Sequence, residues 1–304
     1  MPRGYAKIGD DVAVVPVGDG RLVVKVDMLV ESTDVPPGMT YRQAARKAVA
    51  MCVSDFAAKG VKPDSFMVSI GLKRGVIAER VVELGFGFAD AERDYGVHMV
   101  GGDTNEAKEL VIDCAMVGFA KKVVSRSGAS AGDLLVVTGP FGQQPAGLKI
   151  LKDGAVGTRR FAARARKSVL LPGPRLGVGL ALAPFLTASM DSSDGLARSL
   201  HTLARESGVG FELATLPIAH GVSDFARANG LDASRLVLEG GEEYEIVGTV
   251  RESRIAGAEE AVRKAGGRLT VIGKATGRKG VVEIRSGGRR RKVPDAGWTH
   301  LGSR

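Results

Sequence analysis

The sequence lacks any apolar run close to the roughly 20 residues that a membrane-spanning helix needs. Its first residues, MPRGYAKIGDD, contain no apolar core of a secretory signal. Cysteine is scarce, since Cys52 and Cys114 lie singly inside apolar stretches and form no CxxC pair. Isolated cysteines of this kind are typical of reduced core residues. We therefore expect a cytoplasmic protein with no membrane partner.

Aromatic residues make up only 5% of the chain, although its formal net charge is +9. A basic chain can bind nucleic acid, and the densest basic cluster is SGGRRRKVP near the C-terminus. Proteins that bind single strands stack the bases on aromatic side chains, which are rare here. Small anionic substrates such as phosphates suit the positive charge equally well. We expect no nucleic-acid partner.

Several familiar catalytic motifs are absent. The sequence contains no G-x-x-x-x-G-K-[ST], no G-x-G-x-x-G after a strand and no HExxH. The stretch VTGPFGQQPAGLKIL reads as a strand, a turn and a helix, but it is only a weak phosphate-loop signal. No nucleophile is paired with a base in the sequence. With those mechanisms disfavoured, the sequence favours catalysis by substrate positioning and by the charge of bound metal ions. Phosphoryl transfer requires these two contributions.

Apolar extended segments alternate with amphipathic helical ones along the chain. RLVVKVDMLV and LVIDCAMVGFA are predicted strands, and TYRQAARKAVAMCVSDFAAKG is a predicted helix with a capping box at Thr40 and Gln43. The polar stretch KKVVSRSGASAGD separates two such halves. The pattern predicts an α/β or α+β fold with two domains, residues 1–122 and 123–304.

Carboxylates recur beside apolar segments, and most of them have glycine nearby. The stretches are IGDDVAVV, VKVDMLV, CVSDFAAKG, VGGDTNEA, MDSSDGL and LEGGEEYEI. Acids at strand ends can converge on one point, and glycine allows a ligand to approach the backbone closely. Carboxylates beside bound phosphates would repel them unless a cation lay between, and Mg²⁺ prefers carboxylate and phosphate oxygens. The pattern therefore suggests a site for Mg²⁺ and a nucleotide.

Asp55 is the most informative of these acids. On the predicted helix it shares the apolar stripe of Ala48, Met51 and Cys52. Because an unpaired buried carboxylate is costly, Asp55 should meet a cation, which spacing alone leaves open as Lys, Arg or a metal.

The other acids each have an ordinary structural alternative. Asp10 and Asp11 could form a turn before a strand, Asp103 could form a tight turn after one, and Asp27 could face solvent. In MDSSDGLARSL, helix capping would account for part of the cluster before the predicted helix that begins at Leu196, but not for all four polar residues.

Taken in order, IGDDVAVV, VDMLVEST, VSDFAAKGVKP, GGDTNEA, SRSGASAGD, MDSSDGL and GGEEYEI resemble the thiamine-monophosphate kinase family over nearly the whole chain. The stretch ESTDVPPGMTY resembles the archaeal members of that family more than the bacterial ones. That family belongs to the superfamily of aminoimidazole ribonucleotide synthetase. The resemblance implies ATP-dependent phosphorylation of thiamine monophosphate. It also implies a homodimer in which the N-terminal domains of two subunits pair into a β-barrel, with ATP near the interface.

The resemblance also implies roles for individual residues. The expected Mg²⁺ ligands are Asp11, Asp27, Asp55, Asp103, Asp191 and Asp194, of which Asp103 and Asp191, with Arg126, are the expected catalytic residues. The expected ATP contacts are Gly102, Asp103, Arg126 and Ser193. The expected contacts to thiamine monophosphate are Asp34, Glu242 and Trp298, with Asp34 standing where bacterial members have histidine.

Two other functions compete with this one. The first is another ATP-using enzyme of the same superfamily with a different acceptor. Selenophosphate synthetase is disfavoured because no cysteine lies near the N-terminus, and aminoimidazole ribonucleotide synthetase fits GGEEYE and SDFAAKG less well. The second is a non-enzymatic module that binds RNA, whose affinity would fall steeply with salt. The clustered acids disfavour it.

Overall fold

The computed structural model describes residues 9–286 and 288–299. The N-terminal half forms a five-stranded sheet in the order β1-β2-β5-β3-β4, in which only β3 and β4 run parallel. Its strands are β1 Ala13–Val17, β2 Gly20–Val30, β3 Pro63–Lys73, β4 His98–Ala107 and β5 Val111–Ala120. Its helices are α1 Glu31–Asp34, α2 Tyr41–Ala58 and α3 Ala78–Tyr95.

The two faces of this sheet differ in their surroundings. Side chains of alternate residues point to opposite faces of a strand. On β2, Val23 and Leu29 are buried beneath α2 and α3, whereas Val26 and Met28 on the other face are exposed. We call this second face the outer face. Asp27 shares the inner face with Val23 and Leu29, so the prediction that it could face solvent by alternation is wrong.

Helix α2 connects the two halves of the molecule. It begins with the predicted capping box, in which Gln43 N donates to Thr40 Oγ1 at 3.2 Å and Thr40 N donates to Gln43 Oε1 at 2.9 Å. Most of the helix is buried, because one side packs on the first sheet and the other contacts the C-terminal half. A side chain at Gly179 would lie 2.1 Å from the Ala57 carbonyl oxygen, so glycine there allows this close approach.

The C-terminal half contains a seven-stranded mixed sheet in the order β12-β11-β8-β10-β6-β9-β7. Its strands are β6 Leu134–Val137, β7 Leu186–Asp191, β8 Gly210–Leu213, β9 Ile246–Val250, β10 Thr270–Thr276, β11 Val282–Ser286 and β12 Arg289–Lys292. Its α-helices are α4 Gln143–Asp153, α5 Arg159–Leu170, α6 Leu176–Leu182, α7 Leu196–Ser207, α8 Val222–Ala228, α9 Ala233–Glu239 and α10 Ile255–Lys264.

The mixed α/β class and the two sheets agree with the prediction from the sequence. A separate apolar core lies under each sheet. Within the described residues, no helix is both long enough and apolar enough to cross a bilayer. The first eight residues, which contain most of the segment read for a secretory signal, lie outside the described part of the chain.

Candidate active site

Three aspartates from distant parts of the sequence meet at the junction of the two halves. Asp11 precedes β1, Asp55 lies near the end of α2 and Asp191 ends β7. One carboxylate oxygen of each lies within 4.8 Å of the other two, and all three residues are buried. We call these three residues the aspartate cluster. Buried like charges at this separation repel strongly and call for protons or cations.

Asp191 is held by both halves of the molecule. Its Oδ2 accepts a hydrogen bond of 2.7 Å from Ser54 Oγ on α2. Burial, together with the charge of Asp11, raises the pKa of Asp191 to about 6 from its ordinary 3.8. A cation beside the cluster would favour its ionised form.

Asp55 contacts a lysine and also belongs to the cluster. Lys25, on the inner face of β2, places its Nζ 2.8 Å from Asp55 Oδ2 and 3.8 Å from Asp27 Oδ2. Burial raises the pKa of Asp55 well above its ordinary value, and the charge of Lys25 acts in the opposite direction. The sequence left open whether Asp55 meets an amino-acid cation or a metal; it meets Lys25 within a group of ligands suited to a metal.

Asp11 is joined to two further cations. Its Oδ2 lies 2.6 Å from Nζ of the buried Lys59, which also lies 2.6 Å from Asp10 Oδ1. Its Oδ1 accepts hydrogen bonds from the guanidinium of Arg126, one of them 2.7 Å from Nε. Asp10 and Asp11 lie in a bend that follows the turn at Gly9 and precedes β1, which agrees with the structural alternative, yet Asp11 also joins the aspartate cluster.

The loop between β7 and α7, residues 192–195, is positioned by the GGEEYE segment. Ser192 O accepts a hydrogen bond from Tyr244 N at 3.1 Å, and Ser193 O accepts one from Glu242 N at 2.6 Å. Both Glu242 and Tyr244 adopt positive φ, 61° and 52°, a conformation that non-glycine residues rarely adopt. The N-cap of α7 is Gly195, without a side-chain cap, so the prediction that capping explains part of the acid cluster is wrong.

A cleft of about 480 Å³ extends from the aspartate cluster along the junction. It brings together nine of the predicted site residues, namely Asp27, Asp34, Asp55, Arg126, Asp191, Ser193, Asp194, Glu242 and Trp298. The C-terminal segment reaches this cleft because Trp298 N donates to Asp194 O at 2.9 Å. The indole ring, part of a residue that is 51% exposed, therefore lies beside the acidic loop.

Lys47 fixes one wall of the cleft. It is fully buried on α2, forms an ion pair with Glu242 and donates to the Asp34 carbonyl oxygen at 2.8 Å. The Asp34 carboxylate instead accepts from Val30 N and from Thr33 Oγ1, each at 2.8 Å. Asp34 and Glu242 are thus held in place by one ammonium group.

Asp103 and Gly102 do not join these residues. Both lie exposed on β4, the edge strand. Asp103 pairs with Ser69 of β3, which places it on the outer face, opposite the inner-face residues of β2. It lies within the strand, so the alternative of a tight turn after a strand is wrong. A side chain at Gly102 would lie 2.7 Å from the Val68 carbonyl oxygen, which gives this glycine a packing role.

The glycine-containing turn before α4 is occupied by a carboxyl group of the chain itself. Glu243 accepts a hydrogen bond from Gly142 N at the start of this helix. An acidic side chain therefore interacts with the helix N-terminus, where a phosphate would otherwise bind. The glycines of VTGPFGQQPAGLKIL, which gave the weak phosphate-loop signal, therefore form a turn that binds Glu243 of the same chain.

The sequence reading missed Lys25, Lys47 and Ser54 as site residues. A usable signal existed for Lys47, because it lies two helical turns before Asp55 on the same stripe of α2. Ser54 and Lys59 lie within the quoted VSDFAAKG stretch. For Lys25, alternation places its side chain on the same face as Asp27, but its contact with Asp55 depends on how α2 packs on β2.

Known proteins resemble the chain over most of its length. Residues 9–120 match the family described as AIR synthase related protein, N-terminal domain, and residues 130–285 match its C-terminal domain. Thiamine-monophosphate kinase of Nitrosopumilus maritimus is 39% identical over 283 residues, covering 92% of this chain and 89% of that protein. The Pyrococcus horikoshii thiamine-monophosphate kinase is 32% identical over 296 residues, and the alignment covers 97% of this chain and 91% of that protein.

Among solved structures, AaThiL complexed with AMPPCP and TMP superposes with a TM-score of 0.86 at 27% identity. The superposition covers 97% of this chain and 92% of that one. The similarity therefore includes both sheets and the junction between them.

Proposed function

The chain belongs to the thiamine-monophosphate kinase family of AIR synthase related proteins, and we propose that it works by direct phosphoryl transfer with Mg²⁺ held by its buried aspartates. It is a kinase that transfers the terminal phosphoryl group of ATP to thiamine monophosphate, yielding thiamine diphosphate and ADP. The observation that best supports the proposed mechanism is the single cleft that runs from the aspartate cluster to Glu242 and Trp298.

The donor set of the cleft fits Mg²⁺. Asp11, Asp55 and Asp191 have carboxylate oxygens within 4.8 Å of one another, and the acids that line the cleft are Asp27, Asp55, Asp191 and Asp194. Mg²⁺ prefers carboxylate and phosphate oxygens. When bound there, Mg²⁺ would supply charge neutralisation for the phosphate oxygens of ATP.

The residues of the chain provide positioning and charge. The acceptor phosphate of thiamine monophosphate is already anionic near neutral pH, so no strong base is required. We assign Arg126 to the ATP phosphates, since a guanidinium matches phosphate geometry and Arg126 lines the cleft. Ser193 lines the same cleft and is assigned to the nucleotide. Trp298 and Glu242, with Asp34, are assigned to the thiamine moiety.

We propose a homodimer that forms through the outer face of the first sheet. Its exposed apolar residues include Val17, Val26, Met28, Met67 and Phe119. Several exposed apolar side chains on one face of a sheet mark an interaction site. Pairing there would place Asp103 and Gly102 of the edge strand β4 beside the interface, where the family resemblance places ATP. This supports the assignment of both residues to the nucleotide, and of Asp103 to a metal and to catalysis.

We also propose a domain division and a cellular location. We place the domain division between residues 122 and 123, because the first sheet ends at Ala120 and the second begins at Leu134. We also propose a cytoplasmic location, on the ground that Cys52 and Cys114 are both buried and unpaired.

The test is incubation of the protein with ATP, Mg²⁺ and thiamine monophosphate, followed by mass spectrometry of the products. Thiamine and aminoimidazole ribonucleotide precursors serve as parallel acceptors. We expect thiamine diphosphate and ADP, formed only with the monophosphate and lost when EDTA is added. ADP formed without thiamine diphosphate would contradict the assignment of the acceptor and favour another substrate of the same superfamily.

A further inference from the structure

Lys25 lies among the acids of the cleft rather than on the surface of the protein. Its side chain is 21% exposed, and its Nζ lies 2.8 Å from Asp55 Oδ2 and 3.8 Å from Asp27 Oδ2. Both β2 and α2 are regular at these positions, so the lysine is held between an acid of its own strand and an acid of the helix packed on it.

The other two cations near the cluster are directed to different acids. Lys59 contacts Asp10, Asp11 and the Ser189 carbonyl oxygen, at 2.6, 2.6 and 2.7 Å. Arg126 contacts Asp11 and donates to the Gly9 carbonyl oxygen at 2.6 Å. The positive charge closest to Asp55 among the ion pairs of the described residues is therefore that of Lys25.

The cleft has more negative charge than these contacts neutralise. Asp27, Asp55 and Asp191 all line it, and Asp55 and Asp191 are almost completely buried. Charges in such an environment interact far more strongly than in water. A cation fixed at Asp55 attracts the acids around it and repels any further cation that approaches the same oxygens.

We propose that Lys25 is a resident cation of this cleft, whose ammonium takes the position that a further divalent ion would hold between Asp27 and Asp55 and so limits how many Mg²⁺ ions bind. This inference rests on the proposed function, in which Mg²⁺ binds the aspartate cluster. Lys25 is thus a positioning residue for the metal. It keeps Asp55 oriented and partly neutralised, and within the described residues it forms ion pairs with Asp27 and Asp55 and not with Asp11 or Asp191.

The inference is tested by metal titration of the full chain without nucleotide or substrate. Mn²⁺ is added to wild type, Lys25→Met and Lys25→Arg, and the loss of the free-ion electron paramagnetic resonance signal gives the number and affinity of bound ions. Mg²⁺ competition then confirms that the same sites are measured. Lys167→Met serves as the control, since it removes one positive charge from an exposed position on α5.

We expect Lys25→Met to bind one additional ion per chain, or to bind the same number about tenfold more tightly or better, because one repelling charge is gone. Lys25→Arg and Lys167→Met should titrate as the wild type does. Unchanged or weaker binding by Lys25→Met, including no binding at all, would overturn the inference.

A second background keeps the test valid if Lys25→Met does not fold. In Asp55→Asn the closer of the two acids that Lys25 contacts is replaced by a neutral amide, so removal of the lysine leaves no unpaired charge at position 55. Lys25→Met in this background should still bind Mn²⁺ more tightly than Asp55→Asn alone, through Asp11, Asp27 and Asp191. Equal or weaker binding there would also overturn the inference.

Formation of thiamine diphosphate is measured separately, so the two proposals can fail independently. If Lys25→Met gains metal affinity but wild type forms no thiamine diphosphate, the proposed function fails and the role of Lys25 stands. If wild type is an active kinase and the metal titrations do not differ, the role of Lys25 fails and the function stands.

Discussion

Ser54 and Asp191 are joined by a hydrogen bond of 2.7 Å between Ser54 Oγ and Asp191 Oδ2, although 137 residues separate them in the sequence. Ser54 belongs to the long helix of the N-terminal half, and Asp191 ends the edge strand β7 of the C-terminal sheet. Both residues are buried. The orientation of one acid of the aspartate cluster is therefore set by the other half of the molecule.

Ser54→Ala should weaken metal binding without unfolding the protein. Removal of a hydrogen-bonding partner of a metal ligand typically costs about 10–100-fold in metal affinity or activity, so we expect a loss of that size in the Mn²⁺ titration and in kcat. The control is Ser168→Ala on α5, whose hydroxyl donates to Ala165 O of the same helix. Wild-type metal affinity in Ser54→Ala would show that Asp191 does not need this partner.

The same relationship shows where reading of the sequence succeeds and where it stops. Helical periodicity is a local property, so it correctly placed Asp55 on a buried stripe and required a cation for it. The identity of that cation depends on how α2 packs on β2, which is a long-range fact. Likewise, alternation along β4 alone does not tell which face Asp103 occupies, because every residue but one of this edge strand is exposed.

Asp191→Asn and Asp103→Asn should both abolish turnover while leaving the fold intact, but for different reasons. Asp191 belongs to the buried aspartate cluster, whereas Asp103 lies on the outer face. We therefore expect the nucleotide-free Mn²⁺ titration to weaken in Asp191→Asn and to remain close to wild type in Asp103→Asn. Circular dichroism checks the fold of both variants.

Asp64→Asn, an exposed acid on β3, is the matched control for these two variants. Normal kinase activity in both Asp191→Asn and Asp103→Asn would reject the assignment of these acids to metal. Loss of nucleotide-free metal binding in Asp103→Asn would instead show that Asp103 acts together with the cluster.

Glu243 should make the stability of the protein fall as the pH rises. Burial raises the pKa of Glu243 to about 8 from its ordinary 4.5, so the folded chain holds this proton more tightly than the unfolded chain does. The resulting stabilisation is fully present below about pH 4.5 and is lost as the pH rises through about 8. We expect a contribution on the order of 5 kcal/mol across this window.

Glu243→Gln tests this expectation, because the amide still offers an oxygen to Gly142 N and cannot ionise. Urea unfolding in EDTA should show a variant that is more stable than wild type at pH 8.5 and much closer to it at pH 5.5. Glu259→Gln, at an exposed position on α10, should show no such difference. If the stability of Glu243→Gln had the same pH dependence as that of wild type, Glu243 would not be the cause of the loss of stability at high pH.

Val26→Glu should convert the proposed dimer to monomers. Val26 is 56% exposed on the outer face of the first sheet, and a charge at the centre of an apolar interface is not tolerated without a partner. Sedimentation equilibrium measures the association. Val82→Glu is a close control, since Val82 is also 56% exposed but lies on α3. Dissociation by Val82→Glu, with Val26→Glu still dimeric, would move the interface to the helical face.

Trp298 should report the binding of thiamine monophosphate directly, because it is the sole tryptophan of the chain and lines the cleft. Its segment is held by the bond from Trp298 N to Asp194 O and by the ion pair of Arg198 with Asp295 at 2.8 Å. We expect thiamine monophosphate to change the intrinsic fluorescence, and a non-hydrolysable ATP analogue alone to change it much less.

Loss of an aromatic contact to a ligand ring typically costs about 1–3 kcal/mol, so Trp298→Ala should raise KM for thiamine monophosphate about tenfold or more while KM for ATP stays near wild type. Trp298→Phe should retain most of the affinity, since it keeps an aromatic face. An equal rise of both KM values in Trp298→Ala would mean that the C-terminal segment supports the acidic loop at Asp194 rather than the thiamine moiety.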